Sequence, residues 1–215
     1  MTDKIVCFGK NYVDHMLELG DAPVDKPVIF LKPPSILKQC SHWDETINVT
    51  LTQEETHFEC ELVIKLKAGG YHLTQKAAEG AMGWYTIGLD MTLRQLQSRL
   101  KQASHPWTIA KVFPDAAVIG PWIKIHDLDF LKEAFQFTLD SVVRQKSHGS
   151  EMIFNPVELI MYASQFFPLC EGDILFTGTP SGVGVIHDNA EGVLHIGDRK
   201  YGIIVKQLPC FKIGS

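Results

Sequence analysis

Short runs in which apolar and polar residues alternate dominate the hydrophobic pattern of this chain. Alternation predicts half-buried strands, because successive side chains of a strand point to opposite faces of a sheet. We predict strands at residues 4–9, 27–32, 47–51, 58–67, 84–89, 135–143 and 202–206. These strands are short and do not alternate with helices, which argues against a doubly wound parallel sheet. The pattern predicts a β-rich α+β fold with a few flanking helices.

Helical spacing of apolar residues is confined to residues 11–19, 91–101 and 156–166. Gly20 is expected to end the first helix, and Pro156 takes the first position of the third. The middle helix is amphipathic, with an apolar face formed by Leu93, Leu96 and Leu100. Arg94 and Gln97 share the opposite face, where they are free either to line a cleft or to lie on the surface.

Composition and charge narrow the class of protein. Hydrophobic residues make up 45% of the 215 and charged residues 21%, which is typical of a globular protein. The formal net charge is -5 without a cluster of Lys and Arg, which argues against a nucleic-acid partner. The longest apolar stretch, residues 116–123, is far too short for a membrane span. The length favours one domain, residues 1–215, with a small-molecule partner.

The cysteines bear on the redox compartment. There are five of them, odd in number and scattered, without a C-x-x-C pair. This spacing fits neither a disulfide framework nor a zinc site. We therefore expect reduced thiols in a cytoplasmic protein.

Acidic residues at strand positions carry the sharpest chemical signal. Glu59 and Glu61 are two residues apart, so on a strand they project from the same face together with His57. Asp90 ends another predicted strand, from which it can reach a neighbouring cleft. Three carboxylates form an all-oxygen site that suits Mg²⁺ or Mn²⁺ better than zinc. The alternatives are a solvated strand face for the two glutamates and a helix cap for Asp90, and His57 is expected to support the site rather than to bind the ion.

Six segments, taken in order, resemble the fumarylacetoacetate hydrolase superfamily. They are Gly9-Lys10-Asn11-Tyr12-Val13-Asp14-His15, Phe30-Leu31-Lys32-Pro33, His57-Phe58-Glu59-Cys60-Glu61-Leu62, residues 89–97, Trp107-Thr108-Ile109-Ala110-Lys111 and residues 172–184. Each is weak alone, but their joint order covers nearly the whole chain. The compact length is most similar to the single-domain acylpyruvases.

The resemblance implies a β-sandwich roll, usually a homodimer, that binds Mg²⁺ or Mn²⁺. It implies metal ligands at Glu59, Glu61 and Asp90 and a catalytic pair at His15 and Glu18. It also implies substrate-binding groups at Arg94, Gln97, Lys111 and Thr179, and a lid over residues 9–21. All these positions keep a residue type that suits the role.

Helical spacing makes His15 and Glu18 neighbours, so the carboxylate can orient the imidazole as a base; an exposed surface pair is the alternative. Lys111 follows an apolar approach and is expected to face the acids, where it can stabilise an oxyanion. A divalent ion bound by three carboxylates has a net charge of -1. Arg94 and Lys111 bring the net charge of the site to +1, which favours an anionic substrate. The glycine-rich stretch 178–184 lacks a phosphate-loop pattern, and Thr179 there offers either its hydroxyl or its main-chain N–H.

The leading hypothesis is a metal-dependent hydrolase that cleaves a C–C bond of acylpyruvates or fumarylpyruvate-like diketo acids through an enolate. The second is oxaloacetate decarboxylation or tautomerisation, or isomerisation of an unsaturated dicarboxylic 2-oxo acid. A third, of another class, is a metal-dependent 2-oxo acid binding protein without turnover.

Overall fold

The computed structural model describes residues 2–18 and 24–208. Within these ranges the strands are β1 (Ile5–Gly9), β2 (Val28–Lys32), β3 (Leu37–Gln39), β4 (Thr46–Leu51), β5 (Thr56–Phe58), β6 (Cys60–Leu66), β7 (Met82–Asp90), β8 (Thr92–Leu93), β9 (Ala117–Ile119), β10 (Ile123–Lys124), β11 (Ala134–Leu139), β12 (Val142–His148), β13 (Ile174–Phe176), β14 (Gly184–Ile186), β15 (Glu191–Ile196) and β16 (Arg199–Gln207). The α-helices are α1 (Val13–Glu18), α2 (Gln75–Ala81), α3 (Arg94–Gln102), α4 (Thr108–Lys111) and α5 (Pro156–Ala163). Short 3-10 turns lie at Pro34–Ile36, Leu128–Lys132 and Gly149–Glu151. The prediction of a β-rich α+β fold is confirmed.

Three sheets organise the described chain. The largest runs β2-β1-β13-β6-β7-β9-β3, with β10 paired to β7. The second runs β12-β11-β15-β16-β4, and the third β14-β5-β8. Most pairings are antiparallel, but β1–β13, β3–β9 and β4–β16 are parallel.

The apolar core lies between the two larger sheets. Phe58 and Phe137, one from the third sheet and one from the second, meet edge to face with ring centroids 4.8 Å apart. Tyr201 on β16 is completely buried and donates its hydroxyl to the carbonyl of Ile87 on β7. Burying one large apolar side chain stabilises a fold by roughly 1.5–3 kcal/mol, so these contacts bind the sheets together strongly.

The central pairing of the largest sheet positions the predicted acids. Strands β6 and β7 are antiparallel, with Cys60 opposite Leu89 and Glu61 opposite Gly88. Just beyond this ladder the N–H of Asp90 donates to the carbonyl of Glu59 at 2.8 Å. The end of β7 therefore lies beside the start of β6.

Several predicted boundaries differ from the structure. The strand predicted at 58–67 is interrupted at Glu59, between β5 and β6. The strand predicted at 135–143 is in fact a hairpin, because the chain turns at Asp140 and Ser141 between β11 and β12. The helix predicted at 91–101 begins only at Arg94, since the two preceding residues form β8.

The two remaining helices keep their predicted places with shorter ends. Helix α5 begins at Pro156 as predicted, capped by the Asn155 side chain, and ends at Ala163. Helix α1 lies inside the predicted 11–19 segment, but Leu19 and Gly20 are outside the described residues, as is Cys210. Among the described helices, none combines the length and apolarity needed to cross a bilayer.

Candidate metal centre and its surroundings

Three carboxylates from two parts of the chain converge at one point. Glu59 follows β5, Glu61 lies on β6 and Asp90 ends β7. One ligand oxygen from each lies within 4.8 Å of the others. The three residues are 6%, 2% and 1% exposed. The predicted grouping therefore forms in the fold, and it is buried rather than spread over a solvated strand face.

The structure excludes a capping role for Asp90 and separates His57 from the acids. Helix α3 begins at Arg94 after Leu93, and that residue forms no side-chain cap, so Asp90 is not a helix cap. The Nε2 of His57 lies 3.3 Å from Glu55, and His57 belongs to no described cluster of possible metal ligands.

Cationic side chains surround the trio. The Lys111 ammonium lies 2.9 Å from Glu59 Oε2 and 2.9 Å from Asp90 Oδ2, and the Arg94 guanidinium contacts Glu59 Oε1. Lys32, fully buried, contacts Asp90 Oδ1 and donates to the carbonyls of Met91 at 3.1 Å and Ala116 at 2.6 Å. The three cations thus contact two of the three carboxylates, Glu59 and Asp90.

Burial and these cations set the protonation of the acids. Burial alone would raise the pKa of Glu59, but Lys111 and Arg94 outweigh it and hold this pKa well below its usual range. Burial, followed by the negative charges of Asp90 and Glu59, raises the pKa of Glu61 well above its usual range. Burial would lower the pKa of Lys111, yet the two carboxylates raise it overall, so the ammonium stays charged.

This arrangement fits a hard divalent cation. The donor set consists of carboxylate oxygens, the ligands that Mg²⁺ and Mn²⁺ prefer. Glu61 touches none of the three cations and is instead held by the N–H of Gly178 at 2.6 Å. Burial and, after it, the charges of Asp90 and Glu59 disfavour the ionised form of Glu61, and an added positive charge would favour that form.

The predicted catalytic pair is formed on α1. His15 Nδ1 lies 3.4 Å from Glu18 Oε2, and His15 is 5% exposed. Both Glu18 oxygens also accept from the main-chain N–H of Gly182 at 3.1 Å. Glu18 therefore joins the histidine to the 177–182 loop, and the alternative of an exposed pair does not apply to His15.

The predicted substrate-binding residues line one cavity together with the three acids. It measures about 50 Å³, and its walls include the predicted site residues His15, Glu59, Glu61, Asp90, Arg94, Gln97, Lys111 and Thr179. Gln97 is buried and accepts from Arg94 at 2.9 Å, as the shared helix face predicts, and Arg94 Nε is buried without a hydrogen-bond partner. A larger groove of about 380 Å³ continues past Phe30 and Trp107.

The Thr179 hydroxyl is already engaged by the protein. It donates to the carbonyl of Cys60 at 2.8 Å and accepts from Gln145 Nε2 at 2.8 Å. A hydroxyl has one proton, so this one is not available to a ligand. Of the two donors that Thr179 offers, the hydroxyl and the main-chain N–H, only the N–H therefore remains for a ligand.

The sequence reasoning missed three contributors to the site. Lys32 lies in one of the six segments that resemble the family, and it is buried at the end of β2. The sequence analysis assigned it no function. Gln145 falls beyond the end of the strand predicted at 135–143. The N–H of Gly178 acts through the backbone, which a side-chain motif does not reveal.

Comparisons with known proteins identify the family of the chain. Residues 4–211 match the family described as fumarylacetoacetate (FAA) hydrolase C-terminal. Oxaloacetate tautomerase FAHD1 of Arabidopsis thaliana is 37% identical over 186 residues, covering 85% of this chain and 81% of the relative. The oxaloacetate decarboxylase of Dictyostelium discoideum is also 37% identical, covering 85% and 84%.

A solved structure shares both fold and sequence. The fumarylpyruvate hydrolase of Pseudomonas aeruginosa, crystallised with Mn²⁺ and pyruvate, has a TM-score of 0.87 and 31% identity. The match covers 95% of this chain and 91% of the other. With the sheet order, the converging acids and these similarities taken together, the chain belongs to the fumarylacetoacetate hydrolase family.

Proposed function

We propose that the chain is a Mg²⁺- or Mn²⁺-dependent enzyme of 2-oxo acids, with the interconversion of keto and enol oxaloacetate as its leading reaction. The buried trio of Glu59, Glu61 and Asp90 carries the proposal, because it offers a hard ion three oxygens at the wall of a cavity. The names of relatives at 37% identity favour oxaloacetate as the substrate. A bound ion would act as a Lewis acid on the oxygens of the 2-oxo acid head.

The charges of the site suit a dianion. Lys32, Lys111 and Arg94 neutralise the three carboxylates, so the divalent charge of the ion remains for the substrate. Oxaloacetate carries two negative charges and balances it. The unpartnered Nε of Arg94 offers a further donor to a carboxylate.

The pair on α1 supplies the base. We assign proton transfer to His15, which removes a proton from C3 of oxaloacetate and returns one to the 2-oxygen. Glu18 orients the imidazole through the 3.4 Å contact with Nδ1. Lys111 stabilises the negative charge that develops on the substrate oxygen, since its ammonium is buried and stays charged.

Hydrolysis of diketo acids such as fumarylpyruvate is the second candidate. The same pair can activate a water, and the groove past Phe30 and Trp107 gives room for the part of a substrate beyond its 2-oxo acid head. The similar structure of a fumarylpyruvate hydrolase supports this candidate. Oxaloacetate decarboxylation is the third candidate reaction. It needs neither an attacking water nor a base, which distinguishes it from the other two.

One substrate panel tests the proposal. Oxaloacetate, fumarylpyruvate and simple acylpyruvates are assayed with Mg²⁺ or Mn²⁺ and again with a chelator, following the enol by ultraviolet absorbance. We expect chelator-sensitive tautomerisation that is lost in His15→Ala, whereas decarboxylation persists in this variant. Oxalate binding that needs Mn²⁺, without turnover of any substrate, would instead identify a binding protein.

The remaining proposals rest on the sequence: the homodimer and the lid on the family resemblance, the single domain on the length, and the cytoplasmic location on the five scattered cysteines. We propose a single catalytic domain over residues 1–215, a homodimer, and a cytoplasmic location. We also propose that residues 9–21 act as a lid, of which α1 is the described helical part and residues 19–21 lie outside the described ranges. Closure of a lid would bring His15 to the substrate and exclude water.

A further inference from the structure

Gln145 connects the second sheet to the candidate site. It lies on β12 and is 1% exposed. Its Oε1 accepts from the N–H of Cys60 at 2.8 Å, and its Nε2 donates to Thr179 Oγ1 and to the carbonyl of Pro180, both at 2.8 Å. One buried amide therefore joins three segments that are distant in sequence.

These bonds form a closed ring with the strand that carries the glutamates. Cys60 lies between Glu59 and Glu61; its N–H is bonded to Gln145 and its carbonyl accepts from Thr179. Gln145 and Thr179 are bonded to each other. The ring fixes the distance between the 179–182 loop and the pair of glutamates.

A β-bulge directs Gln145 into this position. Gln145 pairs with Phe137 while Val143 pairs with Thr138, so Arg144 is an extra residue on β12. Bulges re-aim the side chains that follow them. The carbonyl of Arg144 also packs against Gly182, where an added Cβ would lie only 2.1 Å from it. The bulge thus supports both ends of the 179–182 loop.

The carboxylates themselves have other supports. Asp90 is held by Lys32 and Lys111, and Glu59 by Lys111 and Arg94. Glu61 is held by the N–H of Gly178. Loss of Gln145 therefore leaves these contacts in place. It removes the bonds from Gln145 to Cys60, Thr179 and Pro180, so that Thr179 keeps only its bond to the Cys60 carbonyl.

We propose that Gln145 is a positioning residue for substrate binding, which holds the Thr179 main chain in register with the metal ligands. This inference rests on the proposed function, because it takes the 2-oxo acid to lie between the ion and Thr179. Gln145 acts through the loop and does not touch the substrate. Its loss weakens binding of the organic ligand and leaves binding of the ion nearly intact.

The test uses the full-length protein, Mn²⁺ and oxalate, a stable mimic of the 2-oxo acid head. Gln145→Met keeps the side-chain volume and removes all three bonds, and Gln145→Asn is a second, polar variant. Ser147→Ala is the matched control, because Ser147 is buried two residues along β12 and its hydroxyl bonds to Glu151 and to the His148 carbonyl, neither of which belongs to the 179–182 loop. Titration calorimetry measures Mn²⁺ affinity first, and then oxalate affinity with Mn²⁺ present.

We expect oxalate affinity to fall about tenfold or more in both Gln145 variants, since small misplacements of binding groups are costly. Mn²⁺ affinity should stay within about twofold, the range in which independent sites behave additively. In a double-mutant cycle with Thr179→Val, the losses of oxalate affinity should be clearly less than additive. The control should bind both as the unaltered protein does.

Each contrary result has a separate meaning. Unaltered protein that does not bind Mn²⁺ would overturn the proposed function and this inference with it. If unaltered protein binds Mn²⁺ and oxalate, then unchanged oxalate affinity in the Gln145 variants overturns this inference alone. An equal loss of Mn²⁺ and oxalate affinity, or additive losses in the cycle, would also overturn it.

Discussion

Replacing Lys32 by Met removes a cation that balances the acidic trio. Its ammonium contacts Asp90 and two main-chain carbonyls, and the side chain is completely buried. Breaking a buried ion pair costs about 3–5 kcal/mol, because the partner charge stays behind. Asp90 keeps Lys111 at 2.9 Å, so we expect the lower end of this range, about 3 kcal/mol.

The loss should depend on the metal. Without Lys32 the trio carries an uncompensated negative charge, which a divalent ion offsets. A ligand at a hundred times its Kd stabilises the folded protein by about 2.7 kcal/mol. Lys32→Met should bind Mn²⁺ about fivefold more tightly than the unaltered protein, so its stability deficit should shrink by about 1 kcal/mol when both proteins are saturated at the same Mn²⁺ concentration.

The assay is denaturant unfolding with linear extrapolation, carried out once with a chelator and once with Mn²⁺. Lys132→Met is the control, because Lys132 pairs with Asp129 on the exposed surface and should change neither curve. A deficit in Lys32→Met that is identical with and without Mn²⁺ would refute the charge balance described for the site. So would a weaker affinity of this variant for Mn²⁺.

Three further substitutions test other parts of the structure. Glu61→Gln should raise the stability of the metal-free protein, because it removes a carboxyl group whose ionised form is disfavoured by burial and by the charges of Asp90 and Glu59. It should also lower Mn²⁺ affinity about tenfold or more by calorimetry. Burial, together with the bond to Glu133, raises the pKa of Tyr85 from 10.0 to about 12. The contribution of this shift to stability is therefore complete below pH 10 and is lost as the pH rises towards 12. Tyr85→Phe should flatten the fall of the unfolding free energy in that window, and an unchanged slope would contradict the assignment. Gly182→Ala should destabilise the protein by more than about 1 kcal/mol in denaturant unfolding, because φ is +95° and the new Cβ would meet the Arg144 carbonyl; a neutral result would count against the tight packing of this loop.

Local pattern was sufficient to single out the three acids as a possible cluster, with a solvated strand face and a helix cap left open as alternatives. The two-residue spacing of Glu59 and Glu61 and the position of Asp90 at a strand end are short-range signals. The pairing of β6 with β7 then brings the three together. The break of the strand at Glu59 did not prevent this, because Glu59 remains bonded to the first residue beyond the ladder, Asp90.

The hairpin at Asp140 and Ser141 shows where local pattern fails. Both residues have positive φ, 50° and 66°, which is the geometry of a tight hairpin turn. Such turns are usually signalled by Asn-Gly or Asp-Gly, and this one contains no glycine. The prediction therefore ran one strand through the turn and stopped before Gln145.

Lys32 and Gln145 share a different difficulty. Their partners lie 58 or more residues away for Lys32 and at least 34 residues away for Gln145. Their roles follow from how strands distant in sequence are brought together, within the largest sheet for Lys32 and between sheets for Gln145, which the sequence of one segment does not contain. A buried lysine on an apolar edge strand was nevertheless a usable sign of a charged partner.

Glu18 is tethered to a peptide group rather than to a side chain, since its carboxylate accepts from the N–H of Gly182. A peptide donor cannot be deleted by exchanging one non-proline residue for another. A substitution of Glu18 is thus enough to loosen the attachment of α1. At position 182 only a proline, or a change that distorts the turn, would have the same effect. Related enzymes are therefore expected to differ in how firmly this helix is held, and the responsible substitutions are expected to lie on the helix.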